Sequence, residues 1–167
     1  MDIVEVYHAG VDIVKHPDVK RGRPELDFGQ GFYLTDVYDQ AVNWAVKRGL
    51  KFRRSPIVNK YILHKADILS SPEFNAKIFS AYNEEWLDFI LGNRMGHELW
   101  RPFDYIEGGL ADDRIVTTVD LYFTGNINRE EAIRRLKILA PNNQICLLNQ
   151  DLLEKHLEFS GHIIIDE

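Results

Sequence analysis

The chain has almost no cysteine: Cys146 stands alone among 167 residues, which excludes an intramolecular disulfide and suits a reducing compartment. No run of 18 apolar residues occurs, so no transmembrane helix is expected. Positive charge is in deficit, with a net charge of −6. The surface as a whole is therefore a poor match for non-specific nucleic-acid binding, and only local basic patches remain available for it. The acidic start, Met1-Asp2-Ile3-Val4-Glu5, has neither the basic segment nor the apolar core of a secretion signal. Six scattered histidines and one cysteine give no metal-ligand spacing, so no metal site is expected. His97-Glu98 lacks a second histidine four residues on, which removes the zinc-protease motif. Gly29-Gln30-Gly31 lacks the third glycine of a dinucleotide fingerprint, and no glycine cluster carries a phosphate-loop lysine. These gaps leave one cytoplasmic domain, residues 1–167, with no membrane partner.

What is present supports a packed core. The hydrophobic fraction is 45% and the charged fraction 28%, ordinary for a globular domain of this length. The chain is organised around Asp27-Phe28-Gly29-Gln30-Gly31-Phe32-Tyr33-Leu34-Thr35. Two glycines about one polar residue allow a sharp turn or a close backbone approach. A short aromatic strand follows, and Thr35 or Asp36 can cap a helix from about residue 36 to 48 carrying Val37, Ala41, Trp44 and Ala45 on one face. Gly49 reads as its C-terminal stop.

Around this unit, residues 5–8 read as a first strand before an Ala9-Gly10 turn, and Ile57 to Leu63 as another. Residues 67–72 read as a loop and 72–94 as a helix in two pieces. Asp112-Asp113 suits a helix start. Asn128 with Glu131 resembles a capping box for a helix that Pro141 ends. Gln144 to Leu148 reads as a short strand, Asn149 as the cap of a last helix, and His162 to Ile165 as a closing strand. Strands and helices without a βαβ rhythm predict an α+β fold.

Three residues stand at loop–strand junctions in this order: His8, Tyr33 and Gln144. Each alone has a structural explanation, since strand aromatics are usually core and polar strand ends are usually edges. Together, the segments Tyr7-His8-Ala9-Gly10, Asp27 to Thr35, Gln40-Ala41-Val42-Asn43-Trp44-Ala45 and Asn143-Gln144-Ile145 resemble an uncharacterised bacterial branch of the ADP-ribosyltransferase clan, of the diphtheria-toxin and poly(ADP-ribose) polymerase type. The resemblance implies a split β-sheet core with surrounding helices and NAD+ as co-substrate. It implies that His8 bonds the adenosine ribose, Tyr33 stacks on nicotinamide, and Gln144 meets the 2′-hydroxyl of the nicotinamide ribose. Tyr7, Ala9, Gly10, Gly31, Phe32 and Thr35 would complete the NAD+ site, with an amide near Gly10 on the carboxamide.

The expected activity is mono-ADP-ribosyl transfer to a protein or nucleic-acid acceptor. Small stand-alone bacterial domains of this clan are often toxins of toxin–antitoxin or secreted-effector systems, and in the former an antitoxin protein would be a partner. The clan usually has glutamate where this chain has Gln144. Loss of nicotinamide leaves an oxocarbenium-like centre, and an amide offers it neither negative charge nor a base. Glu107 or Asp104 could stand in for the missing carboxylate. A non-catalytic NAD+-binding or protein-interaction domain, and an NAD+ glycohydrolase, stay open beside the transferase. Lys47, Arg48, Lys51, Arg53 and Arg54 read as a solvated basic helix end, or as an anion or nucleic-acid contact. Glu130, Glu131, Arg134 and Arg135 read as helix-surface ion pairing.

Overall fold

The computed structural model describes residues 2–109, 113–138 and 142–166. Its fold is α+β and is built on two sheets. The first sheet joins β1 (Val4–Gly10), β3 (Ile57–Leu63) and β7 (Leu157–Ile164) in the order β1-β3-β7, all antiparallel. The second has the order β2-β6-β5-β4 and contains β2 (Phe32–Leu34), β6 (Gln144–Leu147), β5 (Tyr105–Gly108) and β4 (Ala76–Ile78). Only β4 and β5 are parallel within it.

The period-two alternation of the strands sorts their side chains into separate cores. Val6, Tyr61 and Leu63 of the first sheet share one cluster with Phe32, Leu34, Tyr105, Ile145 and Leu147 of the second. On the other side of the first sheet, Ala9 and Val58 meet Ala41 and Ala45 of α1 (Tyr38–Phe52). On the other side of the second sheet, Ile106 and Cys146 join Trp86, Leu87 and Ile90 of α3 (Glu84–Arg94). Ile115 and Val119 of α4 (Asp113–Phe123) and Ala132 and Leu136 of α5 (Arg129–Ile138) close that cluster. The short helices α2 (Lys65–Ser70) and α6 (Gln150–His156) pack beside the inter-sheet core through Ile68, Leu152 and Leu153.

Several expected boundaries move. Ala9 and Gly10 belong to β1, paired with Val58 and Ile57, and do not form a turn after it. Helix α1 runs through Gly49 to Phe52 and stops at left-handed Arg53. Gly49 is there for closeness: a Cβ would lie 2.8 Å from the Arg54 carbonyl oxygen. Neither Thr35 nor Asp36 caps α1; Val37 is the N-cap residue, and Thr35 Oγ1 accepts from the Val37 N–H at 3.1 Å. Part of the expected 67–72 loop is helix α2. The first half of the expected 72–94 helix contains strand β4, because Phe74 packs into the core while β4 pairs in parallel with β5. Strand β7 is longer than expected and continues directly from α6. The caps at Asn128 and Asn149 form as expected, as does the pairing of Glu131 with Arg134 and Arg135. Asp112 and Pro141, read as a helix start and a helix stop, lie outside the described residues.

The glycine motif is shaped by contact. Gly29 has φ 89°, and a Cβ there would stand 2.0 Å from the Trp100 ring. A Cβ on Gly31 would stand 2.5 Å from Cys146 Sγ and 2.6 Å from the Leu147 carbonyl oxygen. Between them, Gln30 Nε2 donates to the Lys20 and Gly22 carbonyls at 3.0 and 2.9 Å, tying the preceding loop down. Gly31→Ala is predicted to destabilise the fold by about 1–3 kcal/mol through overpacking, lowering Tm by roughly 2–12 °C in a thermal melt.

Candidate functional site

The two sheets meet at one backbone bridge, where the Tyr7 N–H donates to Thr35 O at 2.8 Å and the Thr35 N–H to Tyr7 O at 3.0 Å. Next to it a cleft of about 810 Å³ opens, within the range of small-molecule sites. His8 from β1, Phe32 and Tyr33 from β2, and Gln144 from β6 line it together with Ala9, Gly10 and Gly31. Tyr7 and Thr35 do not line it. They form the bridge, with the Tyr7 hydroxyl turned to Glu5 at 3.1 Å and its ring edge-on to Tyr38. The nine expected NAD+-site and catalytic positions thus divide into seven that line the cleft and a hinge pair beside it, whose work is to hold the walls together.

The His8 ring stacks on Phe32 at 4.3 Å, and its Nδ1 lies 2.8 Å from the Tyr33 carbonyl oxygen. A carbonyl only accepts, so Nδ1 carries the proton and Nε2 keeps a free lone pair. Burial pulls the imidazole pKa down to about 4, against the Tyr33 hydrogen bond, and the nearby Arg48 charge adds to the fall. His8 is therefore a neutral hydrogen-bond acceptor at pH 7, suited to a hydroxyl group on a ligand.

The Tyr33 ring is pinned at its far end. Its hydroxyl donates to Gly29 O at 2.6 Å and accepts from the Phe28 N–H at 3.1 Å. Burial raises its pKa well above the usual tyrosine range. Tyr33 is thus a rigid, uncharged wall.

Gln144 is held by its neighbour. The carbonyl of Asn143 accepts from Thr35 Oγ1 at 2.8 Å and from Gln40 Nε2 at 2.9 Å. Asn143 Nδ2 donates to Asp36 at 3.0 Å and Glu107 at 3.1 Å. The buried Gln144 side chain has no hydrogen-bond partner among the described residues, and it lines the cleft. Its amide can both donate and accept, and it faces the cleft where a bound group would meet it.

Glu107 and Asp104 do not stand in for the missing carboxylate. Register places Glu107 opposite Ile145, on the sheet face away from Gln144, where Lys65 at 2.8 Å and the Tyr105 hydroxyl at 2.6 Å hold it. Asp104 accepts from the Asn75 N–H at 2.8 Å and from Asn149 Nδ2 at 3.0 Å. Neither residue lines the cleft.

Residues that sequence reasoning passed over complete the walls. Lys47, Arg48 and Arg54, read mainly as solvated surface, line the cleft with Trp44 and Phe52. Arg21 joins them from the loop. Arg54 is paired with Asp12 at 2.6 Å, whereas Arg21 and Arg48 have no carboxylate partner among the described residues. The basic helix end is visible in the sequence as a possible anion contact; helical periodicity alone shows which face α1 buries, not which exposed edge borders a cleft. Asp27 and Arg94 also line it, paired at 2.8 Å. Among the described residues, no group of three or more His, Cys, Asp or Glu side chains could hold a metal ion. No helix among them is long and apolar enough to cross a membrane.

The depressed pKa of His8 has a sign. As pH falls, the unfolded chain takes up the imidazole proton near 6.5 and the folded one only near 4. Stability from the neutral His8 is thus fully present above about 6.5 and is lost progressively down to about 4. His8→Asn is predicted to flatten the fall in Tm across that window, and the His8 ring resonances of the wild type should titrate near pH 4.

Residues 4–159 match the model of a family described as protein of unknown function (DUF3990). No curated protein matches the chain.

Proposed function

We propose that this chain, which belongs to the DUF3990 family, is an NAD+-dependent mono-ADP-ribosyltransferase with a split-sheet core of that clan's type. The observation that carries the reading is the convergence of His8, Tyr33 and Gln144, from three strands far apart in sequence, on one cleft. They are the same residues whose order and flanking motifs resemble the clan.

The lining fits a dinucleotide group by group. His8 Nε2 accepts from a ribose hydroxyl, a role that its protonated form could not fill. The Tyr33 ring offers a fixed face to the nicotinamide. The Gln144 amide, without a protein partner, bonds the neighbouring ribose hydroxyl. Arg21 and Arg48, without carboxylate partners, suit the two charges of a pyrophosphate. Bound NAD+ supplies an ADP-ribosyl group on release of nicotinamide. Hydrogen bonds from the lining residues that tighten as that bond breaks lower the barrier. The acceptor is a protein or nucleic acid, and an antitoxin would silence the domain by covering the cleft.

One observation favours a second reading. The group at the front of β6 is an amide, so a domain that binds NAD+ without transferring it fits the same lining. Nicotinamide release separates the two. The transferase reading predicts NAD+ binding by calorimetry and nicotinamide release by the purified wild type. His8→Ala and Tyr33→Ala should each weaken NAD+ affinity about 10-fold or more, equivalent to about 1.4 kcal/mol, while Tm changes little. Gln144→Ala should keep most of the affinity and lose most of the release. Collapsed Tm with unchanged affinity returns His8 and Tyr33 to structural roles; binding without release leaves the second reading; release to water alone, with no labelled macromolecule, makes the protein a glycohydrolase.

A further inference from the structure

We propose that Asp27 is the reacting carboxylate of the cleft, the base that takes the acceptor's proton where Gln144 can only hold the ribose. The inference rests on the transfer reading above and names the residue that makes it chemically complete.

Among the described residues three carboxylates line the cleft: Asp12, Asp18 and Asp27. Asp12 is bound to Arg54 at 2.6 Å, and Asp18 accepts the Lys20 N–H at 2.9 Å in the loop. Asp27 alone belongs to the motif that builds the Tyr33 wall. Its neighbour Phe28 donates its N–H to the Tyr33 hydroxyl at 3.1 Å. Asp27 and Tyr33 both line the cleft, one residue and one hydrogen bond apart through Phe28. Tyr33 pairs with Cys146, and Gln144 lies two residues along the same face of β6, roughly 7 Å away at strand spacing.

Two residues of α3 hold Asp27, one at its side chain and one at its backbone. Arg94 Nε donates to Asp27 Oδ1 at 2.8 Å, and Asn93 Nδ2 donates to the Asp27 carbonyl at 2.8 Å. Arg94 also reaches Asp120 at 3.4 Å, so its one positive charge is shared between two carboxylates. Asp27 Oδ2 has no partner among the described residues. The side chain is part-buried, and its second oxygen is left to act as a base.

In the step, Asp27 Oδ2 takes the proton of the acceptor hydroxyl as that oxygen forms its bond to the ribose C1′. The C1′–N bond breaks, and its electron pair leaves with nicotinamide, which departs neutral. Water serves as the simplest acceptor.

The test is NAD+ hydrolysis, followed as nicotinamide release, with calorimetric NAD+ affinity and Tm measured beside it. Asp27→Asn, which keeps an acceptor for Arg94, should lower kcat about 100-fold or more, the scale of general-base loss, with KM nearly unchanged. Gln144→Glu in the Asp27→Asn background should restore at least about 10-fold of that loss, because a carboxylate returns to the same cleft. Asp27→Glu should retain activity and covers the case in which Asp27→Asn folds poorly. An Asp27→Asn enzyme as active as wild type overturns the inference and leaves the transfer reading standing. A loss that neither Gln144→Glu repairs nor Asp27→Glu avoids makes Asp27 structural and also overturns it. A wild type that consumes no NAD+ removes the transfer reading, and the inference with it.

Discussion

The bridge between Tyr7 and Thr35 is the constraint on which the rest depends. Its two hydrogen bonds are the point where β1 of one sheet meets the end of β2 in the other. Beside it, on β1, His8 turns toward the Tyr33 carbonyl and stacks on Phe32. Beyond it, Thr35 reaches the Asn143 carbonyl and so fixes the front of β6. One crossing point thereby registers three strands at once, and the cleft is the space left beside it. The inter-sheet core of Val6, Phe32, Leu34, Tyr61, Ile145 and Leu147 supplies the apolar driving force, while the bridge sets the alignment. Two separate sheets share no continuous ladder, so their mutual register comes from a few such contacts.

Within that frame the glycine pair has a packing role. Gly29 is close under Trp100 and Gly31 against Cys146 and Leu147, so β2 can lie tight on β6 and present Tyr33 beside Gln144. The polar residue between them staples the preceding loop, and that loop carries Asp18, Arg21 and Asp27 to the cleft. The motif therefore builds two walls at once. The walls combine a neutral histidine and a neutral amide with the guanidinium groups of Arg21, Arg48 and Arg54 and the Asp27–Arg94 pair.

Much of this was legible before any coordinates. The Asp27–Thr35 stretch, the strands at residues 57–63 and 144–147, and the Asn128 and Asn149 caps follow from local turn chemistry and periodicity. The lining residues His8, Tyr33 and Gln144 were legible through their order at strand junctions. Strands β4 and β5 were not, because short buried strands in a mixed sheet take their identity from their neighbours and have little local pattern. Gly49 misled because a glycine near a helix end resembles a stop, whereas here it admits the backbone at Arg54. Tyr7 and Thr35 belong to segments that carry the resemblance, yet they form the backbone bridge beside the cleft and do not line it. Glu107 was attractive as a carboxylate near the glycines, yet strand parity puts it on the opposite face from Gln144. Asp27 carries no signal of its own, since its value depends on α3 arriving from 67 residues away with Arg94.

Transfer of ADP-ribose within the cleft is the central proposal, and one measurement tests it most directly. The purified protein is incubated with NAD+ labelled in its adenylate phosphate and a bacterial lysate, and the label is followed into macromolecules. The account predicts label on a discrete protein or nucleic acid with the wild type and none with Tyr33→Ala. No label from either protein, with NAD+ left intact, would contradict it.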